Sequence, residues 1–182
     1  MNEPLAHTAV FTQCAEGDRA AWRDLHRTYY PTVFAFLRAL GVEGSDLDDG
    51  CQEVFVLLLR KIGQFERRSD FRTWLYRLCA TQARRLRRRA SMRSKITWLF
   101  GSSSPGEPAS GLEWDDAVAF RRVEKALAVL SPKLRLVLVL REFEGLDVDA
   151  VATIANCPEA TVWTRLHYAR KQFEASLREE TE

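Results

Sequence analysis

Three groups of side chains in this sequence have the types and the spacing to do chemistry. In each case the chemistry is recognition. Thr161, Trp163, Thr164, Arg165, His167 and Tyr168 share the face of a helical pattern opposite Val162, Leu166, Ala169 and Phe173, which recur at steps of four, three and four. Hydroxyl, guanidinium and imidazole groups on such a face can hydrogen-bond base edges and phosphates. The second group is the run Arg84-Arg85-Leu86-Arg87-Arg88-Arg89, with Arg72, Trp74, Tyr76, Arg77 and Thr81 just before it. Guanidinium groups engage phosphates, and aromatic rings stack on unpaired bases. The third is Asp49, Gln52 and Glu53, which lie with Val56 and Arg60 on one face of another helical pattern. An acidic and amide patch of this kind is either a solvated face or a docking surface for a basic protein.

Catalytic and metal-binding patterns do not emerge. The sequence contains no G-x-x-x-x-G-K-[ST], no H-E-x-x-H and no G-x-S-x-G. His7, His26 and His167 have no ligand spacing with each other or with the cysteines. Cys14, Cys51, Cys79 and Cys157 are far apart, form no C-x-x-C pair and fall in or near helical patterns, so they read as buried reduced thiols rather than a metal site. The expectation is a non-enzyme with no catalytic residue, no metal, no cofactor and no small-molecule substrate.

The recognition groups need helices to present them. Asp147 suits the N-cap of a short helix carrying Val148, Val151, Ala152 and Ile154. Asn156-Cys157-Pro158 breaks it: asparagine tolerates a left-handed backbone, and Pro158 suits the first position of the next helix. Two helices around so tight a turn form a helix-turn-helix, whose second helix enters the DNA major groove, or else an ordinary helical hairpin in a bundle. Upstream, Gly17-Asp18 opens a helix with Ala21, Trp22, Leu25, Tyr29, Val33, Phe36, Leu37 and Leu40 on one face and Pro31 as a candidate kink. Ser45 is the expected cap of the helix that buries Leu47, Cys51, Val54, Phe55, Leu58 and Ile62. After the loop from Phe65 to Asp70, Phe71, Trp74, Leu75, Leu78 and Cys79 lie on one side of the helix that leads into the arginine run. Trp74 suits core packing as well as base stacking. Ser102 to Gly111 has the composition of a flexible linker. Beyond it, Val118, Val123, Ala126, Leu127 and Leu130 make one helix, and Ser131-Pro132 opens another through Leu134, Val137 and Leu138.

The chain of 182 residues carries a net charge of +2, but the charge is distributed in blocks. Residues 1–59 have a net of −5, residues 60–95 hold 13 Lys/Arg against 2 Asp/Glu for a net of +11, and residues 96–182 have a net of −4. A block that basic is a footprint for phosphate. Neither strand-like alternation nor an internal repeat is present. The expected fold is all-α, two small helical domains joined by a flexible linker, with the helix-turn-helix in the second. No apolar run reaches the length of a membrane span, and the N-terminus lacks the plan of a signal peptide, so direct membrane insertion is not expected and a cytoplasmic protein is.

Two separated stretches resemble one family, the extracytoplasmic-function (group IV) sigma factors of bacterial RNA polymerase. DGCQEVF, Asp49 to Phe55, is similar to the D-x-x-Q-[ED]-x-F signature of the family's polymerase-binding helix. FRTWLYR, Phe71 to Arg77, followed by the arginine run, is similar to the segment that melts and reads the −10 element. Ala126 to Arg135, Glu144 to Leu146 and Val151 to Arg170 are similar to the −35-reading module. The resemblance implies a region 2-like domain over 1–95, a linker over 96–117 and a region 4-like domain over 118–182. It implies core-polymerase contact through Asp49, Gln52 and Glu53. Around the −10 strand it implies Arg67, Arg68, Arg72, Trp74, Tyr76, Arg77, Thr81, Arg84, Arg85 and Arg88. For the −35 groove it implies Thr161, Trp163, Thr164, Arg165 and His167. Core RNA polymerase, promoter DNA and an anti-sigma factor are the implied partners. Trp163 stands where the family has a basic or small polar residue, Thr81 where asparagine is frequent, and Arg85 where an acidic residue or asparagine is frequent. The chain ends soon after the −35 module, so no appended sensor domain is expected. Two other readings compete. A stand-alone helix-turn-helix regulator would leave the acidic first block and the Asp49 patch without a role, and a pure interaction bundle would leave the +11 block without one.

Overall fold

The structure, a computed structural model, describes residues 10–65, 70–100 and 114–179, and the regular elements among them are all helices. A short helical segment at 10–15 leads into α1 (Arg19–Ala39). Asp18 caps α1, its carboxylate accepting from the Ala20 and Ala21 amides at 2.7 and 3.4 Å. Pro31 lies within the helix, which continues through it. Helix α2 (Ser45–Lys61) departs from the expected cap: Ser45 is its first helical residue, the cap is Gly44 at φ 58°, and no side chain closes the end. Asp46 and Asp48 in the first turn face the positive end of the helix dipole instead. A 3₁₀ turn (Ile62–Gln64) leads toward α3 (Phe71–Phe100).

Helices α1, α2 and α3 pack on one another. Val33, Phe36 and Leu37 meet Cys51, Val54 and Leu58 and the buried side of α3 at Leu75 and Cys79. Each fully buried side chain of this size stabilises the fold by about 1.5–3 kcal/mol. Gly50 lets the three helices approach closely. A Cβ there would lie 2.7 Å from Leu86 Cδ1 and 3.4 Å from Leu37 Cδ1. Phe11 stacks on Phe71 with centroids 4.3 Å apart, and the Trp22 indole donates to the Cys14 carbonyl at 2.9 Å, fastening the 10–15 segment to this bundle.

The second unit comprises α4 (Trp114–Ala128), α5 (Pro132–Leu138), a wide π-type turn (Val139–Phe143), α6 (Val148–Ala155) and α7 (Glu159–Glu179). Helix α7 packs on α4, α5 and α6, burying Val162, Leu166 and Ala169 completely and Phe173 partly. The Asp147 carboxylate caps α6 by accepting from the Ala150 amide at 2.8 Å, as expected. Asn156 ends α6 in the left-handed region at φ 49°, ψ 57°. Pro158 sits one position earlier than expected, just before α7, where its carbonyl accepts from the Thr161 and Val162 amides.

The all-α, two-domain expectation holds. The expected linker at 96–117 is shortened at both ends, because α3 runs to Phe100 and α4 starts at Trp114. The arginine run has no helix-breaking residue after it before Gly101, so nothing ends the helix sooner. The Ser/Pro/Gly stretch and the side chains of Trp98, Leu99 and Phe100 lie outside what is described. The two units pack together, α3 against α6, and one buried cluster runs through both.

Two tests follow from this packing. Asn156→Ala removes the short polar side chain that lets asparagine tolerate the left-handed region and lowers stability by about 1 kcal/mol, whereas Asn156→Gly leaves it near wild type, read by urea unfolding. Cys14, Cys51 and Cys79 are buried and Cys157 is half-buried. Desolvation first, then the Asp48 charge, pushes the Cys51 thiol up to about 11. A raised folded-state pKa contributes stability that is complete below the unfolded thiol value near 8.5 and is lost as pH rises through 11. Iodoacetamide at pH 8 should therefore alkylate Cys157 first, with the other three modified only in denaturant, as read by intact mass.

Candidate nucleic-acid interface

The basic helix is held in place by the acidic one. Glu53 on α2 accepts from the Gln82 side-chain amide, from Arg85 Nη1 at 3.3 Å and from Arg89 Nη1 at 3.5 Å. Two turns nearer the start of α2, Asp46 pairs with Arg93. Arg87 reaches the other way and donates to the Leu40 carbonyl at 3.2 Å, its guanidinium pKa lowered by burial. The Arg85 and Arg89 pairs are part-exposed, and pairs of that kind are each worth less than about 1 kcal/mol. Their effect is on direction: they fix which guanidinium groups lie along α2 and leave others facing out.

Arg77, Thr81, Arg84 and Arg88 are exposed on α3. The Thr81 hydroxyl donates to the Arg77 carbonyl at 2.9 Å and accepts from Arg84 Nη2 at 3.3 Å, so threonine braces this part of the helix. Trp74 is half-buried, packing on Phe65 and Phe71 with centroids 5.2 and 5.9 Å away, which favours the core reading of that ring. Tyr76 differs most from expectation. It is buried at 1 % exposure, its ring 4.6 Å from Phe36, and its hydroxyl donates to the Glu144 carboxylate of the second unit. Burial, followed by that hydrogen bond, raises its pKa. Arg72 joins the same group, with Nη2 3.2 Å from the Glu144 carbonyl and 3.7 Å from its carboxylate. Tyr76 is therefore not an exposed stacking platform in this conformation. Arg67 and Arg68 lie outside the described residues.

On α2, Asp49, Gln52 and Glu53 come together with Val56 and Arg60 around a shallow depression of about 380 Å³, which Arg85 also borders. Val56 is exposed, as is Leu59 on the same helix, so the patch carries apolar as well as acidic character. Glu53 is the least free of the three because the arginines of α3 already hold it.

On α7, Trp163, Thr164, His167 and Tyr168 are exposed, with Trp163 at 51 % and Tyr168 at 54 %. Thr161 and Arg165 are half-buried, and Arg165 Nη1 lies 3.3 Å from Cys157 Sγ at the helix-turn-helix turn. The Thr164 hydroxyl bonds back to the Ala160 carbonyl at 3.0 Å. Around the turn, Asp149, Thr153 and Glu159 face Arg77, Thr81 and Arg84 across an open cleft of about 900 Å³. A second cleft, of about 800 Å³, sets Arg84, Arg87 and Arg88 opposite Lys133 and Arg165.

Sequence reasoning missed the residues that join the two units. Arg38 on α1 grips Glu124 on α4 through Nε–Oε1 at 2.5 Å and Nη2–Oε2 at 3.1 Å, and lies 4.4 Å over the Phe120 ring. Arg135 is buried at 6 % exposure, donates to the Leu127 carbonyl at 2.6 Å and abuts Gly41, whose φ is +79°. Burial, with Arg87 adding to it, lowers the Arg135 pKa to about 10, so it remains a cation at neutral pH. No periodicity flags such pairs, because their partners are 86 and more residues apart in sequence. Among the described residues no group of histidine, cysteine or acidic side chains could hold a metal, and no helix is long and apolar enough to cross a membrane.

Comparison with known proteins gives the following. Residues 25–93 match the family model of sigma-70 region 2, and residues 120–173 match that of sigma-70 region 4. The RNA polymerase sigma-H factor of Pseudomonas aeruginosa is 29% identical over 170 residues, covering 88% of each chain. The ECF RNA polymerase sigma-E factor of Escherichia coli K12 is 27% identical over 187 residues, covering 96% of this chain and 95% of that one. CnrH, solved in complex with the cytosolic domain of CnrY, has a TM-score of 0.69 at 22% identity, covering 93% of this chain and 96% of that one. The sigma factor RpoE of Bartonella quintana, solved with the anti-sigma factor NepR, has a TM-score of 0.69 at 22% identity, covering 86% and 96%. At that identity the two structures establish a shared fold.

If the exposed guanidinium groups of α3 bind phosphate, affinity for single-stranded DNA falls with salt along a line of log K against log concentration. Replacing Arg84 and Arg88 together by alanine should then make the slope shallower by about 1.4, measured by fluorescence anisotropy.

Proposed function

This chain belongs to the extracytoplasmic-function sigma factors of the sigma-70 family, and on that premise we propose how its residues divide the work of promoter selection. The first domain, 1–95, docks on core RNA polymerase through the Asp49, Gln52, Glu53 and Val56 patch. It grips the melted −10 strand through Arg77, Thr81, Arg84 and Arg88, with Arg67, Arg68, Arg72, Trp74, Tyr76 and Arg85 around them. The second domain, 118–182, reads the −35 groove through Thr161, Trp163, Thr164, Arg165 and His167. Residues 96–117 span the two. The observation that carries this reading is an acidic, part-apolar patch on α2 beside a basic face on α3. One suits a protein partner and the other suits phosphate, and a stand-alone DNA-binding regulator needs only the second.

In this reading the protein performs no bond-making chemistry. It supplies binding energy for an opened duplex, the phosphates being neutralised by guanidinium groups while an extruded base is held in a pocket. Thr81 replaces an asparagine-like contact with a single hydroxyl. Trp163 cannot make the bidentate base contact of an arginine, so it offers an apolar contact to a thymine methyl. The protein acts in the cytoplasm with polymerase and is held in check by an anti-sigma factor.

The decisive experiment is co-purification with core RNA polymerase, then run-off transcription from a promoter-fragment library. Stable association and start sites sharing a −35/−10 pair are expected. Asp49→Lys should weaken association at least tenfold and leave the fold intact by circular dichroism. Salt-sensitive binding of intact duplex without polymerase association would point to the stand-alone regulator instead. Trp163→Arg should move the −35 preference from thymine toward guanine, read by the same library.

A further inference from the structure

The clefts of this molecule differ in how their charges balance. At the helix-turn-helix turn, Arg77 and Arg84 meet Asp149 and Glu159. In the depression on α2, Arg60 and Arg85 meet Asp49 and Glu53. Beside Gly41, a cleft of about 590 Å³ sets Arg38, Lys125 and Arg135 against Glu43, Asp48 and Glu124. Each of these three is balanced by its own side chains. The cleft of about 800 Å³ between α3 and the second unit is not. Arg84, Arg87, Arg88, Lys133 and Arg165 line it, and no carboxylate among the described residues does. None of the five forms an ion pair among the described residues. Their hydrogen bonds go to neutral acceptors: Arg84 to the Thr81 hydroxyl, Arg87 to the Leu40 carbonyl and Arg165 to Cys157 Sγ. Glu43, whose charge acts on Arg87, lines the Gly41 cleft instead.

We propose that this cleft binds a compact polyphosphate anion, its phosphates bridging the arginines of α3 to Lys133 and Arg165, and that a nucleoside polyphosphate fits it best. A cleft lined by one sign of charge, with walls of low dielectric, concentrates the opposite ion. Guanidinium groups take phosphate oxygens in pairs, and a lysine adds a point charge. The volume falls within the range of about 300–1,000 Å³ usual for small-ligand sites. The wall between the cations is apolar: Ala80 and Ala83 are buried, Leu136 is half-buried, and Met92 lies open. An apolar wall beside a group of cations suits a base and ribose carrying a phosphate chain better than it suits bare phosphate. Arg87 also acts as a like charge on Arg135, a repulsion that a bound anion screens. The inference goes beyond promoter selection, because Arg87 and Lys133 have no part in either DNA face. Arg84 and Arg88 are shared, so the bound anion and a single DNA strand compete for them.

The test uses the full chain in magnesium-free buffer at one ionic strength, with ATP, GTP and inorganic tripolyphosphate titrated separately by isothermal calorimetry. Saturable one-to-one binding with a Kd below about 100 μM is expected. Lys133→Glu should weaken all three by about tenfold. Lys171→Glu makes the same charge change on an exposed residue of α7 outside the cleft, and should leave them within about twofold of wild type. Met92→Ser should weaken ATP and GTP and leave tripolyphosphate unchanged, which assigns the site to a nucleoside polyphosphate. Equal affinity for all three probes, with M92S silent, assigns it to free polyphosphate. A saturating probe should weaken binding of a short single-stranded oligo(dT) by wild type at least fivefold, and the same concentration should have little effect on K133E. No saturable binding of any of the three probes, or equal weakening by K133E and K171E, would overturn the site. Neither readout involves polymerase, so failure of this site and failure of the sigma reading are distinguishable.

Discussion

Six arginines between residues 84 and 93 make a helix that repels itself, and much of the first domain answers that repulsion. Like charges three and four residues apart cost helical stability, a few tenths of a kcal/mol for each pair. Helix α2 meets the problem with Glu53 and Asp46, which pair with Arg85, Arg89 and Arg93 down one side of α3. Arg87 is withdrawn to the Leu40 carbonyl on another side. Arg84 and Arg88 then face outward, and among the described residues of the first domain no carboxylate pairs with them. The phosphate-seeking surface is what remains after the rest of the arginine run has been paid off by neighbours. The acidic character of residues 1–59 is thus partly internal, a counter-charge for the block that follows it.

The second domain meets a different constraint. Its two helices must turn within three residues and still leave the second helix exposed along one side. Asn156 takes the left-handed conformation that ends α6, and Pro158 lends its carbonyl to the first amides of α7. Val162, Leu166 and Ala169 fix the rotation of α7 by being buried completely, and Trp163, Thr164 and His167 are directed outward as a result. Recognition here depends on the apolar stripe more than on the residues that would do the recognising.

The features legible in the sequence are those governed by local spacing. The buried stripe of α2, from Leu47 to Ile62, follows from its three- and four-residue steps, and the Asp18 and Asp147 caps follow from residue type and position. Ser45 shows the limit of that logic: a good capping residue stands one place inside the helix, because Gly44 takes the positive-φ position that ends the loop. The end of α3 was not legible because a run of arginine, alanine and lysine carries no stop signal. The burial of Tyr76 was not legible for a different reason. Its place at the start of a basic helix suggests exposure, but a residue 68 positions later supplies its hydrogen-bond acceptor, and helical spacing says nothing about partners at that range. The same holds for Arg38 with Glu124 and for Arg135 beneath Gly41.

Gly50 brings these levels together. Its role is to provide room, since a methyl group there would collide with Leu86 and crowd Leu37. Three helices converge at that point, and their spacing determines whether Glu53, one turn further along α2, meets Arg85 and Arg89 or misses them. The smallest side chain in the domain therefore acts as the gauge block for its charge pattern. Even alanine at this site would oblige the end of the Leu86 side chain to move, so the mesh of the carboxylate and guanidinium ladders is sensitive to a single methyl group here.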